Sequence, residues 1–116
     1  MNKSLYDGYI FLNFLATIDE KRFEFIVDKF SIMKIIDTVQ SEIDDIKIGK
    51  STEENLSFTI DRFINLLNSR CMEIEESSIL RFDENKQAAF DEFKDLFSKL
   101  KGKIVYISFN PKKNKF

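Results

Sequence analysis

The stretch Lys101-Gly102-Lys103-Ile104-Val105-Tyr106-Ile107-Ser108-Phe109 decides how this 116-residue chain is read. Gly102 follows an apolar-periodic run and suits the position just past a helix end. Residues 103–109 are rich in β-branched and aromatic side chains, which fit a pleated surface. They predict a strand, and a strand needs partners to be stable.

Working outward, three amphipathic segments predict helices. In residues 84–101, Ala89, Phe90, Phe93, Leu96, Phe97 and Leu100 form one apolar stripe, and Asp83 is a natural N-cap. In about 31–47, Ile32, Ile36, Val39, Ile43 and Ile46 recur at 4, 3, 4 and 3, and Gly49 follows as a stop. In about 52–69, Ser51-Thr52-Glu53-Glu54 reads as a capping box ahead of Leu56, Ile60, Phe63 and Leu67.

Partners for the strand come from two expected hairpins. Residues 72–75 alternate and residues 79–82 can return beside them. Residues 9–16 and 22–28 form the second pair, with Phe23, Phe25 and Val27 on one face. A helical reading competes in the second case. Thr17-Ile18-Asp19-Glu20 also matches a capping box, and Phe23, Ile26, Val27 and Phe30 also fit a helix face. The strand's need for partners favours the hairpin. The expected fold is therefore α+β: three helices on a small, mostly antiparallel sheet that includes strand 103–109. The expected domain is residues 1–110, with 111–116 a basic tail.

Composition narrows the chemistry. The chain has no His and a single Cys, Cys71. It thus lacks Ser-His and Cys-His nucleophile pairs, Cys/His metal spacings and an intrachain disulfide. Cys71 reads as a buried small hydrophobe of a reducing compartment. Three scattered Gly make no phosphate loop. We expect no catalytic residues, no cofactor and no metal. The apolar run 9–18 is too short for a membrane span, and no cleavage site follows it. A cytoplasmic location without membrane contact is expected.

Charge is the remaining signal. Residues 101–116 hold five Lys and no acid, which leaves 13 basic against 20 acidic side chains in the first hundred residues. A body of net −7 repels phosphate, so direct nucleic-acid binding by it is not expected. The acids bunch at Asp44 and Asp45, at Glu53 and Glu54, and at Glu73, Glu75 and Glu76. These seven are the candidate partner-binding residues, because an acidic face complements a basic protein. A small acidic chain without catalytic equipment suits a stoichiometric inhibitor. Its class would be an immunity-type or anti-defence protein facing a basic nuclease toxin or nucleic-acid-binding effector. The alternative is an assembly subunit, since 13 Phe exceed the ordinary needs of so small a core.

Overall fold

The computed structural model describes residues 3–78, 80, 81 and 83–108. Its elements are α1 (Lys3–Ala16), α2 (Lys29–Lys47), α3 (Glu53–Glu76) and α4 (Glu84–Ser108). The described residues contain no strand, so the expected α+β fold with its sheet is overturned and the protein is all-helical.

The deciding stretch fails as a strand because the helical stripe runs through it. Phe93, Phe97, Leu100 and Ile104 recur at 4, 3 and 4, and all four are buried. The helix is already nucleated when it reaches Gly102, so each further residue adds a hydrogen bond at little extra entropy cost. Gly102 costs about 1 kcal/mol inside a helix. Burying Ile104 offsets that by about 1.5–3 kcal/mol. Residue 109 and the tail 111–116 lie outside the described residues.

Both hairpins are overturned for the same reason. Residues 9–16 belong to α1, and residues 72–75 belong to α3, which runs past the expected end at 69 to Glu76. There Cys71 and Ile74 extend the buried row Leu56, Ile60, Phe63 and Leu67 at spacings of 4 and 3. The returning strand 79–82 includes residues 79 and 82, outside the described set, and a turn at 80 and 81. Residues 22–28 form helical turns, with Phe23 N–H donating to the Asp19 carbonyl and Val27 N–H to that of Phe23. Phe23 and Ile26 point inward three residues apart, as the competing helical reading has it, but Phe30, the last member of that face, is exposed.

The caps sit close to their expected places. Asp28 caps α2, which starts at Lys29 and not at about 31: its carboxylate accepts from the Ser31 amide at 2.8 Å and the Ser31 hydroxyl at 3.1 Å. Those bonds hold the Asp28 carboxyl below its ordinary pKa. Thr52 caps α3 by accepting from Asn55 N–H. Asp83 caps α4 as expected, accepting from the Asn85 and Lys86 amides.

The four helices run up, down, up and down. α1 and α3 each pack on all three others, whereas α2 and α4 do not touch. The cross-section is thus a rhombus with α1 and α3 across its short diagonal. That accounts for extents of 49 × 33 × 18 Å. Among the described residues seven Phe are buried, at 11, 14, 23, 63, 90, 93 and 97, while Phe30 and Phe58 are exposed.

Arg70 fastens the long α1–α2 connection. Its guanidinium donates to the carbonyls of Phe25 at 2.7 Å and Ile26 at 2.9 Å. The planar guanidinium reaches both carbonyls with one fork of donors. Arg70→Ala is expected to lower stability by about 2–3 kcal/mol, since hydrogen bonds from a charged donor are worth about 1.5–3 kcal/mol each and this one is partly exposed. Urea unfolding checks this. A loss below about 0.5 kcal/mol would show that the loop holds itself.

Candidate functional site

The connection between α2 and α3 is set by a helix stop. Ile48, Gly49 and Lys50 amides donate back to the carbonyls of Asp44, Ile46 and Asp45, and Gly49 takes φ +80°. This left-handed glycine lets the chain reverse without a Cβ clash. The reversal brings the end of α2 beside the start of α3. Asp44, Asp45, Glu53 and Glu54 therefore share one end of the molecule.

Ile48 stands among them, 64% exposed. In α2 the core row is Ile32, Ile35, Val39 and Ile43, and Ile48 falls opposite that row. It is the one residue of this site that sequence reasoning passed over, although its place off the apolar stripe was a readable signal. Glu42 has another task. Its carboxylate accepts from Ser51 at 3.1 Å and Thr59 at 3.4 Å, locking the turn onto α3. Residues 42–54 carry five acids against Lys47 and Lys50. The Lys47 ammonium lies 5.5 Å from the Tyr9 ring centre, and its hydrogen bond with Tyr9 holds its pKa above the usual lysine value.

The electrostatics of this end are informative. Glu53 and Glu54 lie in the first turn of α3, where the helix dipole favours them. Asp44 and Asp45 lie in the last turn of α2, where the dipole opposes them by about 0.3–1 kcal/mol each. Asp44 recovers one hydrogen bond, from Gln40 at 3.1 Å. Two carboxylates thus sit where helix stability disfavours them.

The third expected cluster is elsewhere. Glu73 is 19 residues beyond Glu54 on the same helix, roughly 28 Å away. There Glu73 pairs with Arg70 at 3.2 Å and Glu75 with Lys94 of α4 at 2.9 Å. The seven candidate acids therefore form two separate groups. In the group at 73–76, Glu75 ties α3 to α4, while Glu73 pairs within α3.

One recess, of about 730 Å³, lies between the α1–α2 connection and the start of α4. Asp19 accepts from the Lys21 and Arg22 amides there, Asp83 caps α4, and Arg22 pairs with Glu92 at 2.9 Å. Cys71 is buried, and that burial pushes its thiol pKa up, which keeps it protonated and unreactive. Among the described residues no three His, Cys, Asp or Glu converge as a metal site. No helix among them is long and apolar enough to cross a membrane. Neither a protein-family model, a curated protein nor a solved structure matches the chain.

Proposed function

We propose that the protein is a non-catalytic binding module that inhibits a basic protein by covering it with the α2–α3 turn. An immunity-type or anti-defence role against a nuclease toxin or nucleic-acid-binding effector fits this surface. The observation that carries the reading is the placement of Asp44 and Asp45 against the α2 dipole around an exposed Ile48. Local rules broken at the expense of stability mark sites kept for another purpose. An apolar centre ringed by charge is also how interfaces are built: the centre is desolvated on contact while the rim steers the approach.

The test uses matched baits. The wild-type chain and the Asp44→Lys/Asp45→Lys variant are presented to a host extract at low salt. A basic protein retained only by the wild type, whose activity is then titrated to zero at one equivalent, supports the reading. Equal retention by both baits, or an undiminished activity at excess inhibitor, overturns it.

With the partner in hand, charge reversal at Asp44 and Asp45, or at Glu53 and Glu54, should slow association about tenfold or more at low salt. The effect should shrink as salt shortens the Debye length from about 10 Å at 0.1 M to about 3 Å at 1 M. Ile48→Ala should instead speed dissociation, because it removes the desolvated centre. Stopped-flow association at two salt concentrations separates the two effects. The Asp44→Lys/Asp45→Lys chain should melt no lower than wild type, since the dipole favours cations at that end.

A further inference from the structure

We propose that the groove between α1 and α4 is a binding site for a medium-chain carboxylate. The groove has a volume of about 270 Å³, just below the roughly 300–1,000 Å³ of drug-sized sites. It runs along α1 from Ile10 to Thr17, a length of roughly 10 Å at the rise of a helix. A helix with its side chains is about 10–12 Å across, so a folded partner does not enter it. The floor is apolar. Phe14 and Leu100 are buried there, and Ile10 and Leu96 partly buried. The Phe14 ring lies 6.1 Å from that of Phe93 and 6.0 Å from that of Phe97 between centroids, so the floor is formed before any ligand arrives.

The rim selects the head group. Lys99 and Lys103 stand one turn apart on α4, and no carboxylate of the described residues lines the groove. Other recesses differ. The one at the start of α4 holds Asp19, Glu24 and Asp83, the hollow beside Phe58 holds Asp61, and the one beside Leu80 holds Glu75. Lys103 forms no ion pair among the described residues. Lys99 pairs with Asp95 at 3.2 Å, an exposed pair of the weak kind, which a ligand's carboxylate replaces at little cost. The Thr17 hydroxyl is spent on the Phe14 carbonyl at 2.7 Å, and the Asn13 amide adds a neutral donor to the rim. α1 and α4 run antiparallel, so the two lysines hold the carboxylate toward the Ile10 end. The alkyl chain then extends over Phe14 and Leu96 toward Thr17. Burial of the chain drives binding, and the lysines choose the sign of the head. None of these residues belongs to the α2–α3 turn, so the site and the proposed inhibition are independent.

Amide spectra of the full isotope-labelled chain test this, with sodium decanoate as the probe. Decanoate at about 1 mM should shift the amides of residues 10–17 and 96–103 and approach saturation as it is raised. Decyltrimethylammonium has a similar chain and a cationic head, and should bind about fivefold or more weakly. Butyrate at the same concentration should leave the spectrum unchanged, because it has too little chain to bury. Lys99→Glu combined with Lys103→Glu should reverse the preference between the two long-chain probes, with circular dichroism unchanged from wild type. The head-group comparison needs no variant, so it decides the matter even if the double substitution disturbs the fold. Absent shifts, shifts spread over the surface without saturation, equal affinity for the two heads, or a preference that survives charge reversal in a folded chain would each overturn the proposal.

Discussion

Phe93→Ala is expected to lower stability by about 3–5 kcal/mol, the range for a buried aromatic that leaves a cavity behind. Phe93 is fully buried. Its ring meets Phe14 at 6.1 Å, Phe23 at 5.6 Å and Phe97 at 5.9 Å between centroids, the first two at steep angles of 59° and 62°. These rings come from α1, from the α1–α2 connection and from α4 itself. One substitution therefore loosens three parts of the chain that local sequence does not join. A domain has about 5–15 kcal/mol in total, so the loss is a large share. Phe97→Ala, at 2% exposure and in contact with Phe14 at 6.0 Å, should fall in the same range. Phe30→Ala is the control: the same residue type at 78% exposure should change stability by about 0.5 kcal/mol or less. Urea unfolding of the three variants checks the ordering. A loss below about 1 kcal/mol for both Phe93 and Phe97 would mean that the aromatic cluster does not anchor the bundle.

Gly8→Leu is expected to cost about 3 kcal/mol, the upper part of the range for overpacking. Gly8 lies on α1 where that helix meets α2 and α3. A Cβ there would stand 3.0 Å from Ile43 Cδ1, and 3.3 Å from both Ile43 Cγ1 and Leu56 Cδ2. Ile43 and Leu56 are themselves fully buried, so they have nowhere to retreat. The alanine variant behaves differently. A single methyl needs a shift of a few tenths of an ångström at the end of Ile43, and alanine gains about 1 kcal/mol of helix propensity over glycine. Gly8→Ala should thus lie within about 1 kcal/mol of wild type, while Gly8→Leu should melt roughly 10 °C lower. If leucine were tolerated as well as alanine, the three helices would not meet as closely as they do here.

The positions that sequence and structure share are those where a local signal also had a local cause. Asp83, Gly49 and the stripes of α2, α3 and α4 are local in that sense: a cap, a left-handed stop, and apolar residues at helical spacing. Asp44 and Asp45 were also legible as an acidic pair, and so were Glu53 and Glu54. Their convergence required only the short reversal at Gly49. Glu73, Glu75 and Glu76 look the same in sequence, yet two of them are held by Arg70 and by Lys94. The Lys94 pair could not be read from the chain, because it joins helices that only the fold aligns.

The sequence by itself determined a Phe-rich chain without His chemistry, and it placed the starts of α3 and α4. The tertiary structure alone decided the fate of residues 9–16, 22–28, 72–75 and 103–108. Each of these carries β-branched or aromatic residues that satisfy a strand's alternation and a helix's stripe alike. Over so short a window, burial against a neighbour decides between them, and the neighbour is distant in sequence. Ile104 is helical because it continues the row of Phe93, Phe97 and Leu100 into the core. Phe23 turns inward because Phe93 meets it and Arg70 holds the carbonyls that follow.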